Sequence, residues 1–70
     1  MIELPNVNYS AKIDNDEGFF FEVEVYEDFT YINYFEKEEE NDRMVREIQI
    51  PTNYAKQIAN VICALGKQFP

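Results

Sequence analysis

At Pro51 the spacing of apolar residues changes, and that change constrains the fold more than any other feature of the chain. Before it, apolar and polar side chains alternate: Val7, Tyr9, Ala11 and Ile13 are separated by Asn8, Ser10 and Lys12. A period of two belongs to a strand with one face buried. After it, Tyr54, Ala55, Ile58, Val61, Ile62 and Leu65 recur at steps of three and four, which is one stripe of a helix. Pro51 has no N–H to give to a ladder, so it ends the strand region.

The strand region divides further. Asp14-Asn15-Asp16-Glu17-Gly18 is a polar cluster ending in Gly, a turn. Phe19 to Tyr26 is rich in aromatic and β-branched residues and reads as a second strand. Glu27-Asp28 is a tight connection to a third, Phe29 to Phe35. Glu36 to Asp42 is a charged loop, and Arg43 to Ile50 a fourth strand. Thr52 is a candidate N-cap. The helix is expected from about Asn53 to Leu65, with Gly66 as its stop and Phe69 placed to pack back beyond it. The order is β-β-β-β-α: an α+β fold with a four-stranded antiparallel sheet and one C-terminal helix packed on one face. Seventy residues hold a single domain, residues 1–70.

Parity assigns faces. An even-length hairpin between the second and third strands sets Tyr26 opposite Phe29, Glu24 opposite Tyr31, Glu22 opposite Asn33 and Phe20 opposite Phe35. Phe19, Phe21, Val23, Val25, Thr30, Ile32 and Tyr34 share the other face, which is more uniformly apolar and is expected to meet the helix. The first face mixes carboxylates with rings and has no second helix to cover it. Uncovered rings at Phe20, Phe29, Tyr31 and Phe35 predict a homodimer face there. A loop or the N-terminal segment lying over those rings is the simpler alternative.

Charge narrows function. The chain carries fourteen acids and six bases, −8 overall, yet is 46% hydrophobic and 16% aromatic, which favours a folded domain over disorder. The first 47 residues hold all fourteen acids and four bases, −10, and the remaining 23 hold only Lys56 and Lys67. Two tracts concentrate the acids: Asp14, Asp16, Glu17, Glu22, Glu24, Glu27 and Asp28, then Glu36, Glu38, Glu39, Glu40, Asp42 and Glu47, the second partly offset by Lys37, Arg43 and Arg46. With no His there is no imidazole base or ligand, and one Cys makes neither an internal disulfide nor a metal cluster. The tract from Asp14 to Gly18 fails as a calcium loop, because the fifth, sixth and twelfth positions hold Gly18, Phe19 and Val25. Glu22 and Glu24 lie about 6.8 Å apart along a strand, but a sheet this small offers little of the cleft that carboxylate catalysis needs. Cys63, beside the helical stripe, is a packing residue. These readings predict no catalysis, no cofactor and no metal. Met1 to Ser10 is not a basic region followed by a long apolar run, so neither a signal peptide nor a membrane partner is expected. The lone Cys fits an intracellular, cytoplasmic location.

In overall character the chain resembles the acidic DNA-mimic inhibitors of bacteriophages, on its length, its charge and the tracts DNDEG, FEVEVYED and EKEEEND. The resemblance implies a non-catalytic inhibitor acting in the host cytoplasm. It implies an anionic sheet and loop surface that binds a basic DNA-binding protein, such as a histone-like nucleoid protein or a DNA-processing enzyme. The element order from Phe29 to Leu65, through REIQIP, is also similar to the PC4-type single-stranded DNA-binding module. Glu22 and Glu24 depart from that module where bases would be needed, and a charge of −8 repels phosphates, so no direct nucleic-acid binding is expected. The competing reading is a small structural or dimerisation domain whose acidity serves only solubility.

Overall fold

A computed structural model describes residues 8–70. Val7 and Glu3 lie outside them. The strands are β1 Tyr9–Asp14, β2 Phe19–Val25, β3 Phe29–Glu36 and β4 Arg43–Pro51, followed directly by α1 Thr52–Gly66. The sheet is an antiparallel meander in chain order, β1-β2-β3-β4. Short polar connections between consecutive strands are what sequential antiparallel pairing requires.

The registers expected from parity are present: Glu24 pairs with Tyr31, Glu22 with Asn33 and Phe20 with Phe35. Tyr26 N–H donates to the Phe29 carbonyl at 2.9 Å and closes that hairpin. The first turn uses Asp16 at φ 57° and Gly18 at φ 84°. Asp16 tolerates the left-handed region because Asp14 Oδ1 accepts its N–H at 2.9 Å, a local side-chain turn. Between β3 and β4 the register slips, since Tyr34 pairs with Arg46 and Phe35 with Met44. Val45 is therefore the extra residue of a β-bulge, and Met44 moves onto the face of Phe20 and Phe35.

The faces are cross-strand rows. One face carries Tyr9-Val25-Thr30-Ile50, Ala11-Val23-Ile32-Ile48 and Ile13-Phe21-Tyr34-Arg46. The other carries Ser10-Glu24-Tyr31-Gln49, Lys12-Glu22-Asn33-Glu47 and Asp14-Phe20-Phe35-Met44.

The helix starts at Thr52 rather than capping there. Thr52 N–H donates to the Asp28 carbonyl at 2.9 Å, its hydroxyl donates to the Tyr26 carbonyl at 2.7 Å, and its oxygen accepts the Thr30 hydroxyl at 3.0 Å. A buried hydroxyl must be paired, and here the pairing goes back to the sheet. Pro51 takes the cap position without a side-chain bond. The last turn closes through Gln68 N–H to the Leu65 carbonyl at 3.1 Å, and Phe69 stays 77% exposed instead of packing back.

The helix lies on the apolar face of the sheet as expected, with little of it buried. The helix follows the sheet and passes over its apolar face, but Thr52 is its only buried residue. Ile58, Val61, Ile62 and Leu65 are 44–64% exposed. The bonds at Thr52 set the helix direction, and that direction holds the stripe off the sheet. The chain is consequently a slab of 47 × 39 × 16 Å with a radius of gyration of 14.9 Å. A compact chain of this length has about 11 Å.

Candidate functional site

The centre of the mixed face is closed by its own side chains, with Phe20 and Asn33 buried, while Lys12, Met44, Glu47 and Gln49 around it stay exposed. Phe20, expected as an uncovered ring, is the most buried apolar residue among those described, at 4% exposure. Its ring stacks on Phe35 at 4.8 Å, nearly parallel, and Lys12 Nζ lies 4.2 Å from its centroid on the other side. Phe29 and Tyr31 stand at the far end of the face, separated from that stack by the row Lys12-Glu22-Asn33-Glu47. The four rings therefore form two clusters with carboxylates between them. A second copy on this face would set like charges against each other, which opposes the homodimer expected there.

The two ends of the sheet treat their acids differently. The β1–β2 and β3–β4 loops lie at one end, with Asp14, Asp16, Glu17, Glu36, Glu38, Glu39, Glu40 and Asp42. Three of the six bases, Lys12, Lys37 and Arg43, gather here. Lys37 Nζ meets Asp14 at 2.8 Å and Asp16 at 3.5 Å, and Lys12 lies 3.7 Å from Asp14. Arg43 reaches Glu38 at 2.7 Å and Glu36 at 3.0 Å. The hydrogen bond from Lys37, helped by the Asp16 N–H, holds the Asp14 carboxyl below its usual range, and the same bond pushes the Lys37 ammonium up.

At the other end, the turn between β2 and β3 brings Glu24, Glu27 and Asp28 together and β4 adds Glu47. They surround a hollow of about 380 Å³ whose walls include Tyr26, Phe29 and Tyr31. None of the four carboxylates, nor Glu22, is ion-paired among the described residues. Glu24 is held in place by neutral donors: Tyr26 Oη donates to Oε2 at 3.1 Å and Asn33 Nδ2 to Oε1 at 3.0 Å. Both oxygens are fixed without their charge being cancelled. The bond to Glu24 and its negative charge push the Tyr26 phenol up. Tyr31 meets Tyr26 edge-on at 5.6 Å, which keeps the wall upright. Buried Asn33, 1% exposed, supports Glu24 from below, and its Oδ1 has no partner among the described residues.

Fixed carboxylates beside ring faces can receive an ammonium or guanidinium group, by charge and by cation–π attraction. Glu47 and Tyr26 escaped the sequence reading as parts of this site. The alternation Glu47-Ile48-Gln49-Ile50 was the signal for Glu47, since it sets Glu47 and Gln49 on the face opposite Ile48 and Ile50.

On the apolar side, helix and sheet enclose an open groove of about 490 Å³ lined by Ile13, Val23, Ile32, Ile50, Ile58 and Ile62 among others, with Lys56 as its one charged residue. Cys63 is exposed on the same wall.

Among the described residues, no group of three or more His, Cys, Asp or Glu side chains could hold a metal ion, and no helix is long and apolar enough to cross a membrane. No family model matches the chain, and neither a curated protein nor a solved structure matches it.

Proposed function

We propose that the protein is a non-catalytic inhibitor or regulator that presents the anionic face and end of its sheet to a basic, nucleic-acid-binding protein, in the manner of a DNA mimic. One observation carries this reading. At the β2–β3 end, Glu24, Glu27, Asp28 and Glu47 surround an aromatic hollow with no base among the described residues paired to them. Three of the chain's six bases, Lys12, Lys37 and Arg43, are paired at the opposite end. Lys56, which borders Glu27 from the helix side, forms no ion pair with these acids among the described residues. Strands about 4.8 Å apart, with same-face residues about 6.8 Å apart, space such charges regularly. Complementary fields speed encounter and strengthen as salt falls. On this reading the protein works in a host cytoplasm, as the resemblance to phage inhibitors implies.

The test is retention of bacterial lysate proteins on the tagged chain across a salt gradient. The expected result is a basic DNA-binding protein held at low salt and released as salt rises. Reversing Glu27, Asp28 and Glu47 to Lys abolishes retention while leaving the circular dichroism of the sheet in place. Retention that ignores salt, or that includes no DNA-binding protein, defeats the reading. The second reading, a structural dimerisation domain with acids for solubility, is favoured by the exposed tract Glu38 to Asp42. It requires the reversed variant to keep its partner.

A further inference from the structure

We propose that a second copy of this chain covers the apolar groove, so that two chains pair through their helices and apolar sheet faces and turn their anionic faces outward. This goes beyond the inhibitor reading and places the dimer contact on the face opposite the one expected from the rings.

Area is the first argument. A folded monomer of 8.3 kDa exposes about 4,600 Å², whereas this chain exposes 6303 Å². The excess, about 1,700 Å², is of the size one subunit contributes to an obligate homodimer interface. The location of the exposed apolar surface is the second. Ile58, Val61, Ile62 and Leu65 on the helix, with Ile13 and Ile48 on the sheet, are all 44–64% exposed. Ile13, Ile58 and Ile62 line the groove itself, and Ile48 on the same sheet face with Val61 and Leu65 on the helix extend the exposed apolar surface beyond it, which exceeds the scattered exposure of ordinary surfaces.

Charge selects the occupant. No carboxylate lines the groove, and from Ile48 onward the chain contains no acid. The occupant that fits is therefore an apolar stripe with almost no charge, and the helix of another copy is such a stripe. The arrangement is self-complementary: each helix enters the other's groove, as a two-fold contact requires. The groove is also held open from within, because the bonds of Thr52 to Tyr26, Asp28 and Thr30 fix where the helix points.

Sedimentation equilibrium on the full chain tests the proposal. Twice the chain mass is expected at high micromolar concentration, in exchange with monomer on dilution. High salt should hold or tighten this dimer, since each copy carries −8; a basic partner responds in the opposite sense. Ile62→Glu introduces a carboxylate at a site 64% exposed in the single chain, so the sheet folds unchanged. It should weaken the dimer about 100-fold. Leu65→Glu, one turn on, gives the same loss if the first variant misfolds. Without any substitution, alkylation of Cys63 should slow as concentration rises. Glu22→Lys, on the far face, should leave the dimer intact whatever it does to basic partners. A monomer at every concentration overturns the proposal. So does a dimer that ignores both helix variants, or one that Tyr31→Glu on the mixed face dissolves.

Discussion

The two faces of the sheet are made by the same four strands and are organised in different ways. On the mixed face, rings stack, a lysine lies over Phe20, and Asn33 and Tyr26 orient Glu24. On the other face the residues are simpler and more apolar, yet beneath the helix most are only half-buried and Ile13 and Ile48 stay exposed. Hydrophobicity alone therefore did not decide which face is buried. Stacked rings and hydrogen-bonded polar side chains closed the centre of their own face locally, whereas aliphatic side chains need a second layer to cover them.

The comparison can be broken at graded cost. Phe20→Ala should have the largest effect, lowering unfolding free energy in urea by about 3 kcal/mol. Ile62→Ala, measured where the chain is monomeric, should change it by less than about 0.5 kcal/mol. Equal losses from the two would erase the contrast between faces. Thr52→Val comes next. It keeps the shape of the side chain but strands the Tyr26 carbonyl and the Thr30 hydroxyl, at a cost of about 1–2 kcal/mol. Its signature in hydrogen exchange is lost protection in the first turn of the helix before the central strands, and uniform loss would count against a local anchor.

The smallest effect sharpens the contrast between the ends of the sheet. The native Asp14 carboxyl lies below its usual 3.8, so the clasp with Lys37 contributes fully above that value and is lost as pH falls through the lower native one. Lys37 lies above its usual 10.5, so the contribution is present below that value and lost as pH rises through the raised one. Between these limits the clasp adds no pH dependence. Lys37→Met should flatten part of both limbs, modestly, because the pair is solvated. An unchanged acid limb in that variant would show that the clasp contributes nothing.

The sheet was legible because its signals are local. The alternation in FEVEV and YINY sets faces, and a two-residue turn sets the register of Glu24 on Tyr31. The bulge at Val45 was not legible, since RMVREIQI contains no Gly, Pro or Asn to mark it. Nor was the lift of the helix. Periodicity identifies an apolar stripe but carries no information on what covers it. The direction of this helix depends on a Thr hydroxyl that bonds to a carbonyl 26 residues earlier, and sequence distance conceals such a bond. The acidic tracts were visible, but their division into an end where Asp14, Asp16, Glu36 and Glu38 are ion-paired and an end where no acid is paired among the described residues followed from where Lys37 and Arg43 reach in space.

The connection at Pro51 and Thr52 has a mechanical consequence. With no linker residue between strand and helix, the helix is a rigid arm about 20 Å long from Thr52 to Leu65. Its pivot is bonded to the carbonyls of Tyr26 and Asp28, which belong to the wall of the anionic hollow. A tilt of about 10° at that pivot moves the tip by about 3 Å, given the rise per residue of an α-helix. The hollow and the groove lie on opposite sides of a thin slab, and they share one hinge pin.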